Sequence, residues 1–110
     1  MELPFEIDVA TVKELQGGDE SFLFLDCREP AEYAVAKIEG TTLIPMNEIP
    51  TKLDELATHK DSRIIVHCHH GGRSAQVANY LRGQGFAGAQ NMTGGIDVWS
   101  LEIDNSVPRY

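Results

Sequence analysis

The sequence predicts an α/β domain built around a mostly parallel β-sheet. Apolar runs rich in β-branched residues alternate with runs of helical spacing, and this alternation favours parallel strands joined by helices. Hydrophobic residues make up 42% of the chain and charged residues 24%, values that are typical of a globular protein. Because 110 residues suit one compact domain, we expect a single domain over residues 1–110.

The first half of the chain contains three predicted strands and two predicted helices. The strands are the apolar runs at residues 5–7, 21–27 and 41–45. Asp8 can cap a helix with the sequence VATVKEL, which Gly17 and Gly18 can end. Pro30 falls in the first turn of a short second helix, where the missing N–H costs least. The third predicted strand ends in a proline.

The second half continues the same alternation. Strands are predicted at residues 62–68 and 89–92. The segment IPTKLDELATH, residues 49–59, has leucines at helical spacing and is predicted to be a helix. A further helix contains SAQVANYL, which Gly83 and Gly85 can end. Gly94 and Gly95 then turn the chain into IDVWSL.

Polar side chains follow two of the predicted strands. Ligands of parallel sheets collect outside the carboxyl ends of the strands. Asp26 and Arg28 stand at one such end, and Cys68 and Arg73 stand at another. If the strands are neighbours, these side chains share one mouth. We favour Asp26 and Arg28 as loop support through a salt bridge or hydrogen bonds; the alternative is a helix-capping acid and a solvated arginine.

The segment after the second of these strands, HCHHGGRS, has the composition of an anion-binding loop around a nucleophile. Gly71 and Gly72 let successive N–H groups point at one spot, and the following helix adds its positive end. Such surroundings also lower a cysteine pKa. The planar guanidinium of Arg73 can donate paired hydrogen bonds to anionic oxygens. Ser74 can cap the helix or donate a hydrogen bond to the sulfur of Cys68. The alternative is a buried, inert cysteine beside a polar turn.

The histidines around Cys68 raise the question of a metal site. Structural zinc sites use four ligands in two spaced pairs, and catalytic sites use three plus an open position. Adjacent ligands in one loop fit neither arrangement, so we predict no metal and no other cofactor. We expect His67 to be hydrogen-bonded inside the domain, and His69 and His70 to line the mouth, where they can add partial positive charge.

The net charge and the first residues of the chain indicate which partners and which cellular location to expect. The net charge of −8 argues against binding to nucleic acid or to an anionic membrane surface. The chain has no apolar run near the roughly 18 residues that a membrane span needs. The beginning, MELPFEIDV, lacks the pattern of a signal peptide. We therefore expect a cytoplasmic protein in which Cys27 and Cys68 are free thiols.

Two segments resemble the rhodanese-like sulfurtransferase family in its single-domain form. Residues 24–45, FLDCREPAEYAVAKIEGTTLIP, are similar to its first signature, and residues 66–99, VHCHHGGRSAQVANYLRGQGFAGAQNMTGGIDVW, are similar to its active-site loop, helix and closing Gly-Gly element. The resemblance implies a five-stranded parallel sheet flanked by helices on both faces. It extends over a core of about residues 5–101 and leaves a short tail at 102–110.

The resemblance also implies a ping-pong sulfur transfer. Cys68 would take a sulfane sulfur from thiosulfate or a related anion as a persulfide and pass it to cyanide, a thiol or a protein acceptor. The donor and persulfide would be bound by the loop residues His69, His70, Gly71, Gly72, Arg73 and Ser74. Two alternatives are a persulfide carrier or binding module for a protein partner and, less favoured, a cysteine-based phosphatase or arsenate reductase. The four residues between Cys68 and Arg73 favour sulfur, since the related phosphatases have a longer loop.

The sequence departs from the family pattern in three places. Lys37 and Glu39 replace the usual His and Pro of a turn. The histidine pair 69–70 replaces small residues and leaves the donor preference open. Cys27 stands where an aliphatic residue is usual. We favour a buried substitute for valine; the alternative is a resolving or second sulfur-carrying thiol, which requires a short distance to Cys68.

Overall fold

The structure, a computed structural model, describes residues 3–110 and contains five strands. The strands are β1 (Glu6–Ile7), β2 (Phe22–Asp26), β3 (Thr42–Leu43), β4 (Arg63–His67) and β5 (Ala89–Met92). The α-helices are α1 (Val9–Gln16), α2 (Pro30–Val35), α3 (Leu53–Leu56), α4 (Gly72–Gly83) and α5 (Gly95–Glu102). Short 3₁₀ helices at Met46–Lys52 and Ala57–His59 flank α3.

The strands form one sheet in the order β1-β5-β4-β2-β3, and every neighbouring pair is parallel. The predicted α/β fold with a five-stranded parallel sheet is therefore confirmed. The central strand β4 lies between β5 and β2, and Asp26 is the register partner of His67. The carboxyl ends of β2 and β4 consequently open side by side at one edge of the sheet.

Apolar clusters cover both faces of the sheet, because successive strand side chains point to opposite sides. On one face, strand residues such as Leu25 and Val66 pack against α3 and α4. On the other face, Phe24 and Ile65 pack against α1 and α5. The predicted helices on both faces are thus present, and the central strands are sealed from water on both sides.

The sequence signals locate most elements to within two residues. The side chain of Asp8 accepts a hydrogen bond from the Thr11 N–H at 2.8 Å, so α1 begins as predicted. The difference lies at residues 49–59, where one helix was predicted and only Leu53–Leu56 is α-helical. Pro50, which lies inside the preceding 3₁₀ helix, lacks the N–H that an α-helix would use.

The last residues fold back onto the domain. Val107 is buried in the cluster that contains α5, and its carbonyl accepts a hydrogen bond from the Ser100 hydroxyl. Tyr110 reaches Arg28 with its hydroxyl, so the terminal tyrosine packs against the domain. Among residues 3–110, the longest helix has 12 residues, and no helix has the length and apolar character to cross a membrane.

Candidate active site

Cys68 follows β4 directly, and its sulfur is surrounded by hydrogen-bond donors. The Cys68 Sγ accepts from the Gly71 N–H at 3.1 Å, the Ser74 N–H at 3.3 Å and the Ser74 hydroxyl at 3.3 Å. Gly71 makes this turn at φ = +107°, a conformation that L side chains rarely adopt. The loop and the first turn of α4 therefore form a cradle of donors around one sulfur atom.

These surroundings stabilise the thiolate. Hydrogen bonding from the Cys27 thiol is the largest cause that lowers the pKa of Cys68. Donors from Ser74 and Gly71 also lower it and burial raises it, and together these effects bring the pKa to about 4. Cys68 is therefore an anion at neutral pH, although only 1% of its surface is exposed. A thiolate, rather than a thiol, is the nucleophilic form of cysteine.

Ser74 connects this sulfur to a chain of buried polar groups. Its hydroxyl lies within hydrogen-bond reach of both Cys68 Sγ and the amide oxygen of Asn91. The amide nitrogen of Asn91 donates to the Glu6 carboxylate at 2.9 and 3.2 Å. Since the nitrogen of Asn91 faces Glu6, its oxygen faces Ser74. Both hydroxyl partners are acceptors, so the single Ser74 hydroxyl hydrogen is shared between Cys68 Sγ and the Asn91 oxygen. Glu6 of β1 and Asn91 of β5 thus fix the position of the hydroxyl oxygen.

The N-terminus of α5 holds the loop from behind. The Ile96 N–H donates to the Cys68 carbonyl at 2.9 Å, and the Asp97 N–H donates to the His69 carbonyl at 3.1 Å. Gly95 has φ = +62°, and a Cβ at this position would collide with both carbonyl oxygens. The closing Gly-Gly element therefore permits the close approach that fixes the backbone of the loop.

Asp26 and Arg28 form an ion pair with no solvent exposure, so Arg28 is not a solvated arginine. The Arg28 guanidinium donates to both Asp26 oxygens, at 2.7 to 3.1 Å, and to the Ala36 carbonyl at 2.7 Å. The other Asp26 neighbour is His67, whose Nε2 lies 3.6 Å from the carboxylate. Burial lowers the pKa of His67, so this histidine is neutral. The pair adjoins the loop through His67, which precedes Cys68, and through Tyr110, which bonds Arg28 and stacks on His69.

Arg73, which was predicted to hold the donor anion, is engaged by an acidic side chain. Its two terminal nitrogens donate to the two oxygens of Glu32 at 2.6 and 2.9 Å. The hydroxyl of Tyr110 accepts from Arg28 at 2.9 Å and donates to Glu32 at 2.7 Å. Hydrogen bonds from Arg73 are the largest cause that holds the pKa of Glu32 well below its usual range. An anion that binds Arg73 must therefore share it with Glu32.

The two loop histidines and Tyr110 form an aromatic stack. The rings of His69 and Tyr110 lie 4.0 Å apart and nearly parallel, and the rings of His69 and His70 lie 3.9 Å apart. His69 Nε2 is buried and has no hydrogen-bond partner within residues 3–110. The side chain of His70 is 67% exposed and lies 3.9 Å from Asp97. His69 is thus a packed residue of the stack, and His70 faces solvent.

Three residues of the site were not predicted from the sequence: Asn91, Glu32 and Tyr110. Asn91 had a usable signal, because a polar residue near the carboxyl end of a buried strand needs a partner. Glu32 lies in the first turn of α2, where its position in the sequence indicates only a capping-box residue. Tyr110 lies in a segment without periodicity. In the part of the chain that the structure describes, no three His, Cys, Asp or Glu side chains converge on a position suited to a metal ion.

A family model described as "Rhodanese-like domain" matches residues 8–102. The chain belongs to the rhodanese-like family. This rhodanese-like chain is 41% identical over 96 residues to the rhodanese-like/PpiC domain-containing protein 12 of Arabidopsis thaliana, covering 84% of this chain but only 31% of the relative. It is 35% identical over 95 residues to a protein of Allochromatium vinosum named "Sulfurtransferase", covering 86% of this chain and 87% of the relative.

A solved structure agrees with this assignment. The crystal structure of a Staphylococcus saprophyticus protein superposes with a TM-score of 0.80 and 33% sequence identity, covering 98% of this rhodanese-like chain and 99% of that one. The chain thus spans nearly the whole length of two similar proteins and about a third of the Arabidopsis one.

Proposed function

We propose that this rhodanese-like chain is a sulfurtransferase in which Cys68 carries a sulfane sulfur as a persulfide. The observation that carries the proposal is the Cys68 thiolate, which receives three donors within 3.3 Å. Membership of the family and the name of the Allochromatium relative support sulfur transfer as the general activity. The donor is thiosulfate or a related anion, and the acceptor is cyanide, a thiol or a protein thiol.

The first half-reaction is nucleophilic attack by Cys68. The thiolate bonds to the sulfane sulfur of thiosulfate, the original sulfur–sulfur bond breaks, and sulfite leaves with the electron pair. The outer sulfur of the resulting persulfide carries negative charge, which the N–H groups of residues 69–74 stabilise. Arg73 pairs with the sulfonate of the donor, in competition with Glu32.

The second half-reaction returns the enzyme to its starting state. The acceptor attacks the outer sulfur, the bond to Cys68 Sγ breaks, and the thiolate re-forms. Cyanide yields thiocyanate in this step. Because Cys68 is 1% exposed, the sulfur is protected from random thiols until an acceptor enters the mouth beside His70 and Arg73.

The test uses Cys27→Val, which leaves Cys68 as the single cysteine, with the Cys27→Val/Cys68→Ser double variant as its control. The expected result is thiocyanate from thiosulfate and cyanide, an intact-mass gain of one sulfur atom that maps to Cys68, and neither signal in the double variant. A sulfur adduct without thiocyanate turnover would indicate a carrier for a protein partner. Hydrolysis of p-nitrophenyl phosphate without any sulfur adduct would overturn the proposal in favour of a phosphatase.

A further inference from the structure

The two cysteines of the chain lie side by side. Asp26 of β2 and His67 of β4 are register partners, and Cys27 and Cys68 are the residues that directly follow each strand. The Cys27 N–H donates to the His67 carbonyl at 3.1 Å, and the Cys27 Sγ lies 3.5 Å from the same oxygen. Both side chains belong to the apolar cluster on the α4 face of the sheet, so both sulfurs point to the same side.

The strand register is compatible with the Cα separation of a disulfide between Cys27 and Cys68. Neighbouring strands lie about 4.8 Å apart, and disulfide-bonded cysteines have Cα atoms roughly 4.4 to 6.8 Å apart. Both cysteines are free thiols here. The Cys27 side chain has no solvent exposure, so a thiol from solution cannot reach it. Its accessible sulfur partner is Cys68.

We propose that Cys27 is a resolving thiol, which converts the Cys68 persulfide into a Cys27–Cys68 disulfide and releases the outer sulfur as hydrosulfide. This inference rests on the proposed function, because it begins from the persulfide. A valine would fill the same apolar space. Cys27 adds a proton donor and a nucleophile next to the reacting sulfur.

The step balances without an outside oxidant. The Cys27 sulfur bonds to the inner sulfur of the persulfide, Cys68 Sγ, and the bond from Sγ to the outer sulfur breaks. The electron pair of that bond leaves with the outer sulfur, which departs as hydrosulfide together with the thiol proton of Cys27. The sulfane sulfur is reduced, and the two cysteine sulfurs are oxidised to the disulfide.

The surroundings of the two sulfurs suit this direction of attack. The Gly71 and Ser74 donors contact Cys68 from the loop and helix side, where they can stabilise the departing anion. Cys27 lies on the β2 side, in the same apolar cluster as Cys68. The pKa of Cys27 is raised, first by its hydrogen bond to Cys68 and then by burial.

This step requires a dithiol as co-substrate. A disulfide between residues 27 and 68 ends the cycle until a dithiol reductant restores both thiols. The complete reaction then consumes one thiosulfate and one dithiol, and it produces sulfite, hydrosulfide and the oxidised dithiol. Dithiothreitol is a suitable probe for this class.

The test compares the wild-type chain with Cys27→Val under anaerobic conditions. Each reduced protein is treated with one equivalent of thiosulfate and no acceptor, blocked with N-ethylmaleimide, and measured by intact mass and by hydrosulfide assay. The wild type is expected to lose both alkylatable thiols, yield a cross-linked peptide containing residues 27 and 68, and release close to one equivalent of hydrosulfide. Cys27→Val is expected to keep the extra sulfur on Cys68 and to release about a tenth as much or less, since it lacks an intramolecular nucleophile. Wild-type protein without thiosulfate must keep both thiols.

The outcomes separate this inference from the proposed function. If Cys27→Val loads sulfur and the wild type keeps a stable persulfide without a disulfide, the resolving role is wrong and the sulfurtransferase proposal stands. If neither protein loads sulfur from thiosulfate, both proposals fall. Since the wild-type measurement alone detects the disulfide, a folding defect in Cys27→Val would not prevent a decision.

Discussion

The carboxyl ends of β2 and β4 lie side by side, and each is followed by a cysteine, yet they hold charge in opposite ways. At the β2 end, Asp26 and Arg28 form an ion pair sealed from water, and the adjacent Cys27 keeps its proton. At the β4 end, the negative charge is on Cys68, and neutral N–H and O–H groups stabilise it. The cation of that loop, Arg73, is paired with Glu32.

The difference shows how a fold can separate stability from reactivity. A full ion pair with several hydrogen bonds holds Asp26 and Arg28 in place, and neither of these two side chains is free to react. Fixed dipoles around the Cys68 sulfur lower the pKa of the thiol without covering the thiolate with a counter-charge. The ion pair at the β2 end therefore stabilises the fold, whereas the proposed nucleophile is Cys68 at the β4 end.

The largest expected effect comes from breaking the support. Arg28→Met leaves the Asp26 carboxylate without its cation in a position that has no solvent exposure. We expect the free energy of unfolding to fall by about 3–5 kcal/mol, as for other buried pairs that lose one partner. Urea denaturation measures this change. Lys52→Met, which removes an exposed pair with Glu55, should cost less than about 1 kcal/mol. Equal costs for both variants would contradict the supporting role of Arg28.

A second variant tests how the β4 loop is held. Gly95→Ala places a methyl group against the carbonyl oxygens of Cys68 and His69 at a positive φ. We expect a loss of about 2 kcal/mol or more, because both strain and a backbone collision contribute. Gly72→Ala is the matched control, since a Cβ there meets nothing within 4 Å. Thermal unfolding of both proteins gives the comparison, and a stable Gly95→Ala would show that α5 does not hold the loop closely.

The coupling between the two thiols can be measured by titration. Cys68 should lose its thiolate absorbance in the ultraviolet only as the pH falls through about 4, so the anion persists from neutral pH down to this region. Cys27→Val should raise the pKa of Cys68, because Cys27 is the largest cause of its lowering. The control is Cys68→Ser, in which this absorbance step disappears. An unchanged midpoint in Cys27→Val would mean that the loop donors alone stabilise the anion.

The smallest expected effect concerns the paired arginine. Glu32→Gln frees Arg73 from a half-exposed ion pair, so the KM for thiosulfate should fall by at most about fivefold, equivalent to about 1 kcal/mol. Glu55→Gln, which also loses an ion pair but lies on an exposed face, should leave this KM unchanged. A higher KM in Glu32→Gln would indicate that Glu32 instead holds Arg73 in its binding position.

Local patterns in the sequence predicted much of this fold. The alternation of apolar runs with helical spacing predicted the parallel sheet, and Asp8, Pro30 and the glycines marked helix ends correctly. The glycines and Ser74 predicted a donor cradle around Cys68, and three donors lie there. These features depend on residues near one another in the chain, where backbone conformation and spacing are set locally.

Other features depend on which distant segments meet. Three contacts of the site could not be predicted from the sequence, because strand order and packing decide each of them. They are the ion pair of Glu32 with Arg73, the hydrogen bond between Asn91 and Ser74, and the stacking of Tyr110 on His69. The same holds for Cys27, which looked like a substitute for valine. The amino-acid pattern was enough to predict the fold class and to propose Cys68 as the nucleophile. The register of β2 against β4 was needed to place a second thiol beside it, because residues 41 positions apart become neighbours only when the sheet forms.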